Sequence, residues 1–545
     1  MPTDTTSSHG LFRNLRRVAT GAVGTIALAT LASRIVGFGR WLAQSAFVGS
    51  GATAGAYASA NQIPNIIFEI IVGGALAGLT VPLLAGHVTK GRHDIADRIA
   101  SALLTWVTSI LTAVAVAVFL GADVIAQFLP VPKDADIASQ HMLIANFLRI
   151  FAWQIPLYGV SIVLTGILQS KKRFLWPALA PLFASVVVIT TFTVYGLIHP
   201  LKDAAPTPTA VLVLGWGTTA GVAALSLPLF IPVYRSGTRL RLTYRLEAKE
   251  RRRAVSLGIA GLGALLAQQL SVVVGLWLMR TYGAGGTVAV FQYVQAVYWL
   301  PYAILAYPLA TAAFPTLSEQ GESGCDSRFC ATCSWATTRV LTASLVGVAL
   351  LITMAPVAEA FFTLLTPVPG MASALIIIAP ALVGYSLLFH GQRVLYAINK
   401  PATAWHIALG AWLTVSVSAV GAVRLLTTGL TDGVASLRGL AAGHSIGMTV
   451  GAIAVLVAIR IHAGISATES LIPTAVRALP VLIGAAVAGL ATTRALLRVP
   501  LHAFPATVIA GLGGVMALGL VLAWFGRTSI IAPLAGSEPR HVPQD

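Results

Sequence analysis

Two arginines, Arg34 and Arg40, stand six residues apart in the first long apolar stretch of the sequence. A charged side chain in such a stretch is costly inside a membrane, so it usually faces a water-filled interior and serves a function. Guanidinium groups bind phosphate oxygens through paired hydrogen bonds, which indicates a phosphate-bearing ligand. At about 100° per residue the two side chains lie on different flanks of an ideal helix. A bend at Gly37 or Gly39 would turn both toward one cavity; alternatively, they snorkel or pair with an acid.

The next apolar stretch carries several uncharged and acidic polar residues. Gln62 and Asn65, with Gln295 in the second half of the chain, offer amide groups that can hydrogen-bond a sugar or a peptide. Buried amides also hold membrane helices together, so both roles stay open. Glu69 either contacts the substrate or neutralises one of the arginines. The candidate substrate-binding residues are therefore Arg34, Arg40, Gln62, Asn65, Glu69 and Gln295.

The sequence lacks the common motifs for nucleotide binding and for nucleophilic catalysis. It contains neither a G-x-x-x-x-G-K-[ST] loop nor a G-x-S-x-G nucleophile turn. Cys325, Cys330 and Cys333 follow the spacing C-x4-C-x2-C without a neighbouring histidine, which favours reduced thiols over a metal site. We therefore predict a protein that is not an enzyme, with no catalytic residues, no metal and no resident cofactor.

The composition indicates a membrane protein. Of the 545 residues, 57% are apolar and only 10% are charged, and the mean hydropathy is +0.83. A soluble chain carries about 25% charged residues, so a cytosolic enzyme, a nucleic-acid-binding protein and a disordered chain are excluded. The net charge of +17 lies mostly in short loops, where membrane topology already requires basic residues. We expect no nucleic-acid partner.

Fourteen apolar segments are long enough to cross a membrane as helices. They are residues 19–48, 54–86, 99–127, 139–169, 175–198, 209–233, 254–281, 286–317, 335–364, 370–398, 402–425, 437–461, 471–493 and 504–526. The predicted fold class is an all-α polytopic membrane protein of about fourteen transmembrane helices. Pro64 and Pro156 predict kinks in the second and fourth segments, as Gly37 and Gly39 do in the first.

Basic residues alternate between the loops. The loops at 49–53 and 366–370 carry no Lys or Arg, whereas the loops on the other side carry many, including eight in the linker 235–253. The positive-inside rule then places both termini in the cytoplasm. We interpret residues 1–18 as a cytoplasmic tail and not as a signal peptide. The linker either sets this topology or also binds anionic lipid headgroups.

The two halves of the chain resemble each other. Residues 47–84 match 280–317 through a Gly-rich turn, a glutamine (Gln62 and Gln295) and a later proline. An even number of spans separates them, and parallel repeats of this kind are common in transporters that bind substrate between the halves. The predicted organisation is two pseudo-symmetric six-helix bundles, at 19–233 and 254–461, a basic linker at 234–253, two C-terminal helices within 471–526 and a cytoplasmic tail at 527–545.

A long ordered block covers residues 32–86, from ASRIVGFGR through AFVGSG to AYASANQIPNIIFEIIVGGALAGLTVPLLAG. It contains S-R-x-x-G-F-x-R, a glycine turn, I/L-P-N, G-A and V-P-x-L. This block resembles the opening of the MurJ/MviN family, and the stretches at 299–319 and 392–404 resemble later parts of it. The motif A-N-Q-I-P-N is similar to the sequences of family members from high-GC Gram-positive bacteria.

Members of this family are lipid II flippases of the multidrug/oligosaccharidyl-lipid/polysaccharide exporter superfamily. The resemblance implies alternating-access movement of undecaprenyl-pyrophosphate-linked disaccharide-pentapeptide from the inner to the outer leaflet of a bacterial cytoplasmic membrane, for peptidoglycan synthesis. It implies that Arg34 and Arg40 contact the pyrophosphate and that the last two helices hold the lipid tail. It also implies coupling to membrane potential or a monovalent cation, and as partners membrane lipids and cell-wall synthesis proteins.

Several charges of the family's cavity are missing from this chain. Trp41 and Gly55 stand where many members have Asp. Glu69 lies in place of one arginine of a pair, and Gln295 in place of an Asp. These differences leave the exact substrate and the coupling ion open. The alternatives are a polysaccharide-unit or drug exporter of the same superfamily, and a non-transport membrane protein of cell-wall assembly.

Overall fold

The computed structural model describes residues 22–70, 77–200, 204–245, 262–322, 325–427 and 432–535. Within these ranges the regular structure is helical throughout and includes no β-strand. Twelve of the helices are long and apolar enough to cross a membrane. They coincide with the third to the fourteenth predicted segments, so the all-α polytopic membrane fold class is confirmed.

The first two predicted segments are helical where they are described. They contain Ala22–Ala43, Ala52–Glu69 and Ala77–Thr89, and none of these three is among the twelve spans. Residues 71–76 of the second segment lie outside the described ranges, as do residues 1–21, 246–261 and 536–545. The count of fourteen therefore stays a prediction, as do the two cytoplasmic tails.

Contacts within the chain divide it into two units. The first comprises residues 1–48, 56–128 and 141–262, and the second comprises 49–55, 129–140 and 263–545. The short segments 49–55 and 129–140 thus belong to the second unit, although the sequence places them in the N-lobe at 19–233. The loop charges predict that both segments lie on the outer side of the membrane.

The first half of the chain contains ten α-helices in the described ranges. They are α1 (Ala22–Ala43), α2 (Ala52–Glu69), α3 (Ala77–Thr89), α4 (His93–Leu120), α5 (Ala122–Phe128), α6 (Ile137–Phe151), α7 (Gln154–Ser170), α8 (Leu175–Ile198), α9 (Pro208–Ser226) and α10 (Phe230–Arg235).

The apolar core of the first unit is formed by α3, α4 and α7. Leu84, Ile99 and Leu164, one from each of these helices, are almost fully buried in a single cluster. Gly159 lets α7 approach α4 closely, because a Cβ there would lie 2.4 Å from the side chain of Leu111. Close packing of this kind is what joins helices in a membrane, where lipid tails are as apolar as leucine.

Helix α1 packs along α8 and is helical throughout Gly37 and Gly39. The Ser33 hydroxyl fixes it by donating to the Ala178 carbonyl at 2.7 Å. The irregular turn comes later, as a π-helical turn at Gln44–Val48. The helix is thus unbroken at the two glycines, and the bend expected there stays a prediction. A glycine keeps its backbone N–H, so on its own it does not break a helix that is packed along its length.

The prolines of the second and fourth segments behave differently from each other. Pro64 lies inside α2 without ending it. The fourth segment is interrupted at residues 152–153, between α6 and α7, and Pro156 follows in the first turn of α7. Proline is tolerated in the first turn because its missing N–H has no partner there.

The second half of the chain contains eleven α-helices in the described ranges. They are α11 (Leu262–Tyr282), α12 (Thr287–Pro301), α13 (Tyr307–Ala312), α14 (Phe314–Glu322), α15 (Ser327–Thr363), α16 (Met371–Ala397), α17 (Pro401–Leu426), α18 (Gly433–Ala463), α19 (Leu471–Leu497), α20 (Ala503–Phe525) and α21 (Ala532–Ala535).

A glycine ridge on α18 sets the closest helix pair of the second unit. Gly439, Gly443 and Gly447 recur every four residues and face α17. A Cβ at Gly443 would lie 2.4 Å from the Ala419 Cα, so any side chain there would force the helices apart. Small residues at this spacing are the usual means of bringing two membrane helices into backbone contact.

Candidate functional site

The two candidate arginines lie on the same helix, in different surroundings. Arg34 of α1 is exposed, and the preceding Ser33 faces α8. Arg40 is half-buried, and its guanidinium carbon lies 5.0 Å from the centre of the Trp41 ring. Its Nε is shielded from water and has no hydrogen-bond partner. In the described part of the chain, neither arginine forms an ion pair with a carboxylate.

Helix α2 carries a row of polar side chains. Asn61, Asn65 and Glu69 follow one another at four-residue intervals, which places them along one face, with Gln62 beside them. The Asn61 Oδ1 is buried without a hydrogen-bond partner. Glu69 is exposed and is the last residue of α2, and the residues at 71–76 that follow in the second predicted segment lie outside the described ranges.

Tyr158 of α7 joins this row. Its hydroxyl donates to Asn65 Oδ1 at 3.0 Å, and its ring centre lies 4.3 Å from that of Phe68. The hydroxyl is also close enough to Arg40 and Glu69 to feel the charge of both. The first unit therefore brings Arg40, Asn65, Glu69 and Tyr158 into one neighbourhood.

In the described part of the first unit, five buried side-chain N or O atoms have no hydrogen-bond partner. They are Arg40 Nε, Gln44 Nε2, Ser45 Oγ, Asn61 Oδ1 and Gln154 Oε1. Each such atom costs about 1–3 kcal/mol of stability, and most buried polar atoms are satisfied. Unpaired donors and acceptors at the end of α1, in the turn after it, on α2 and at the start of α7 are suited to a polar ligand.

Tyr57 fixes α2 in place from the other side. Its ring makes edge contacts with Phe147, Phe151 and Phe192, at 5.6, 5.6 and 6.1 Å between ring centres. Its hydroxyl lies 3.1 Å from Thr218 Oγ1. A buried aromatic ring with a satisfied hydroxyl is a rigid anchor, so the polar row is held by packed side chains.

The six predicted site residues are divided between the units. Arg34, Arg40, Gln62, Asn65 and Glu69 lie in the first unit, and Gln295 lies half-buried on α12 in the second. Gln44, Gln154 and Tyr158 were missed by the sequence reasoning. The signal for Gln44 was present, because it stands four residues after Arg40 and hence on the same face of a helix.

Arg280, on α11, is a fully buried arginine. It is 0% exposed, and its Nε donates to the Pro130 carbonyl at 2.7 Å. Its Nη2 donates to Gln140 Oε1 at 3.4 Å. The sequence placed this arginine near the outer end of a span and gave no sign of complete burial.

Other charged residues in the helices are engaged in local structure. Arg149 pairs with Asp123. Arg393 donates to Thr311 Oγ1 at 2.8 Å and lies 4.3 Å from the centre of the Phe389 ring. The Glu359 carboxylate accepts from the Gly370 and Ala372 N–H groups and so caps the start of α16.

The described residues include no group of three or more His, Cys, Asp or Glu that could hold a metal ion. Cys330 and Cys333 are buried, Cys325 is exposed, and all three are free. Partial desolvation raises the pKa of the Cys325 thiol above its usual value.

Comparison with known proteins matches most of the chain to one family. The family model described as "Lipid II flippase MurJ" matches residues 44–507, a range that begins after Arg40. A probable lipid II flippase MurJ of Rhizobium tropici is 26% identical over 301 residues, which are 55% of each chain. The lipid II flippase MurJ of Burkholderia cenocepacia is 24% identical over 58% of this chain and 60% of its own. The chain thus spans little more than half the length of the curated relatives it matches.

Solved structures show the same fold. One titled "Lipid II flippase MurJ, inward closed conformation" has a TM-score of 0.69 at 17% identity, covering 92% of this chain and 99% of its own. An inward-facing multidrug resistance MATE transporter of the MOP superfamily has a TM-score of 0.64 at 18% identity, covering 81% and 98%. At these identities the likeness concerns the fold alone.

Proposed function

The chain belongs to the family of the lipid II flippase MurJ, and we propose that it moves lipid II from the inner to the outer leaflet of a bacterial cytoplasmic membrane by alternating access. In this proposal the protein is a transporter and not an enzyme, has no resident cofactor and has both termini in the cytoplasm. Membership of the family, the multi-pass helical fold and the polar neighbourhood of the first unit support it.

The observation that carries the proposal is the set of buried polar atoms of the first unit, Arg40 Nε among them, that have no hydrogen-bond partner among the described residues. Arg40 Nε and Gln44 Nε2 are hydrogen-bond donors, which suit the oxygens of a pyrophosphate. Asn61 Oδ1 and Gln154 Oε1 are acceptors, which suit sugar hydroxyls or peptide N–H groups. A lipid-linked pyrophosphate bearing a disaccharide and a peptide presents both kinds of group at once.

Arg40 is the residue that we assign to the pyrophosphate. A charge-assisted hydrogen bond contributes about 1.5–3 kcal/mol, so even one bond from Arg40 changes affinity by roughly tenfold to a hundredfold. Arg34 is exposed and contributes a longer-range attraction. Tyr158 and Asn65 hold each other and so fix the wall against which the headgroup lies.

Membrane potential is the proposed source of energy. Moving one negative charge from the negative inner side to the outer side releases about 2.3 kcal/mol at 100 mV. A pyrophosphate-bearing lipid gains this energy for each net charge that it carries outward. Coupling to a monovalent cation is the alternative, and an ion-substitution experiment separates the two.

The test is transport of labelled lipid II in liposomes that contain the purified protein. We expect movement between leaflets that speeds up under an inside-negative potential and slows when the potential is reversed. Arg40→Ala should reduce the rate, while Arg477→Gln, which changes an exposed arginine on α19 in the second unit, serves as the matched control. If the wild-type protein does not move lipid II but moves a lipid-linked polysaccharide unit or a cationic drug, that compound would replace lipid II as the proposed substrate.

A further inference from the structure

A pocket with a mainly apolar lining and several polar side chains lies wholly within the second unit, whereas Arg40, which we assign to the pyrophosphate, belongs to the first. Its volume is about 740 Å³, and it is formed by the first turns of α15 and α19, the turn at Ile465–Thr468, and α21. Ser334, Trp335, Arg339, Glu469 and Ser470 line it.

Two N–H groups of this pocket have no acceptor. Arg339 Nε and Trp335 Nε1 are both shielded from water and unpaired. The Arg339 guanidinium carbon lies 4.7 Å from the centre of the Trp335 ring, so the two donors belong to one stacked pair. Arg339 Nη2 donates to the Leu534 carbonyl on α21, which holds the guanidinium in place. An acceptor with several oxygens is the ligand that would satisfy this pair.

Hydroxyl groups surround the same pair. Ser470 Oγ lies 2.6 Å from Ser334 Oγ and 3.0 Å from Thr338 Oγ1, and the Ser470 N–H donates to Ser334 Oγ at 3.2 Å. Hydroxyls donate as well as accept, so this group can add bonds to an anionic oxygen. Guanidinium, indole N–H and hydroxyls together are suited to a phosphate.

The pocket lies at the depth of lipid headgroups. Helix α15 has 37 residues and is therefore about 55 Å long, whereas the hydrocarbon core is about 30 Å thick. Arg339 lies about 18 Å from the start of α15, so for a centred helix it is within about 6 Å of the hydrocarbon boundary. Tryptophan is enriched at that level.

The charges of the pocket restrict the ligand further. Arg339 supplies one positive charge, and the exposed carboxylate of Glu469 supplies one negative charge. A headgroup with a second negative charge would meet Glu469 unfavourably, whereas a headgroup with an ammonium group would be attracted to it. We propose that this pocket binds a membrane phospholipid with a phosphoethanolamine headgroup, its phosphate on Arg339 and Trp335 and its ammonium group toward Glu469.

The experiment measures lipid binding to the purified, delipidated full chain by native mass spectrometry. The probes are phosphatidylethanolamine, phosphatidylglycerol and soluble phosphoethanolamine. We expect the wild-type protein to retain phosphatidylethanolamine preferentially. Arg339→Gln should weaken this binding about tenfold, and Trp335→Phe, which keeps an aromatic ring and removes the N–H, should weaken it about threefold. Arg477→Gln is the control on the same unit, because Arg477 is exposed and does not line the pocket.

Glu469→Gln tests the ammonium part of the proposal. Removing the carboxylate should shift the preference toward phosphatidylglycerol, with phosphate binding retained. Equal binding by Arg339→Gln and Arg477→Gln would overturn the site. Equal binding of soluble phosphoethanolamine and the lipid would overturn its assignment to a membrane lipid. Equal melting temperatures of Trp335→Phe and the wild type exclude misfolding as the cause of a loss.

Discussion

Arg40 in the first unit and Arg280 in the second are both arginines within long apolar helices, and their surroundings differ. Arg280 is fully buried and donates to the Pro130 carbonyl and to Gln140 Oε1. Arg40 is half-buried, and its Nε has no partner. A guanidinium that the protein itself satisfies stabilises the fold, whereas one with an unpaired donor keeps binding capacity for a ligand.

The neighbours of the two arginines differ in the same way. Around Arg280, the Gly285 N–H donates to both carboxylate oxygens of Asp134 at 3.1 Å, and Tyr293 donates to the Gly49 carbonyl at 2.7 Å. Shortly after Arg40 in the sequence, Gln44 Nε2 and Ser45 Oγ are also buried without a hydrogen-bond partner among the described residues. Burial of a charge alone therefore does not indicate a binding site, whereas neighbouring polar atoms without hydrogen-bond partners do.

The largest expected effect is on stability, at Arg280. Arg280→Ala leaves two buried acceptors without donors and a cavity of arginine size, which should lower the free energy of unfolding by about 3–5 kcal/mol. Arg280→Lys, which lacks the guanidinium fork, should recover part of the loss. The measurement is the melting temperature and monomer yield of the purified protein. A normal melting temperature for Arg280→Ala would remove the distinction between the two arginines.

The next effect is on transport, at Arg40. Arg40→Ala should reduce lipid II movement by about tenfold to a hundredfold, because a charge-assisted hydrogen bond to the pyrophosphate is lost. Its melting temperature should stay near that of the wild type, since no protein partner is left unpaired. Arg40→Lys keeps the charge and should retain part of the activity. Full complementation of a flippase-depleted cell by Arg40→Ala contradicts this role.

Asn61→Leu should change stability and transport in opposite directions. Removing a buried acceptor that has no partner should raise stability by about 1 kcal/mol. It should also lower transport several-fold, because an acceptor for the headgroup is lost. Thermal unfolding and liposome transport of the same preparation measure both quantities. A residue that serves the fold alone would lose stability and keep its transport rate.

The smallest expected effect is at Arg34. Its side chain is exposed, so its attraction to the pyrophosphate is screened by water and salt. Arg34→Ala should reduce transport about threefold at low salt and less at high salt, without a change in melting temperature. A transport rate measured at two ionic strengths checks this. An effect as large as that of Arg40→Ala at both strengths would place Arg34 in direct contact with the headgroup.

The helices were predictable because hydropathy reports directly on membrane burial. Twelve predicted spans match helices, including the segment around residues 465–497 that follows the repeated halves. At Gly37 and Gly39 the sequence alone could not show whether α1 is interrupted, because packing of α1 along α8 helps to decide whether a glycine breaks the helix. The break at residues 152–153 was closer to expectation, since Pro156 has no N–H to donate to the carbonyl four residues earlier, at Ala152.

Only part of the candidate site could be proposed from the sequence, and the roles of its residues stay predictions. Arg40 and Asn65 were proposed from their residue types in an apolar segment, and the structure shows Asn65 accepting a hydrogen bond from Tyr158. Tyr158 gave no signal, because a single tyrosine in an apolar stretch is ordinary. Likewise, no periodicity could show that the turn containing Pro130 covers Arg280. Such contacts join residues far apart in the sequence.

The proposed transport depends on binding of the substrate's pyrophosphate by Arg40. The most direct measurement is the affinity of purified wild-type protein and Arg40→Ala for lipid II, with undecaprenyl alcohol as a ligand that has the same tail and no phosphate. We predict that Arg40→Ala binds lipid II at least tenfold more weakly, that both proteins bind the alcohol equally, and that their melting temperatures agree. Equal affinity of the two proteins for lipid II would contradict the account.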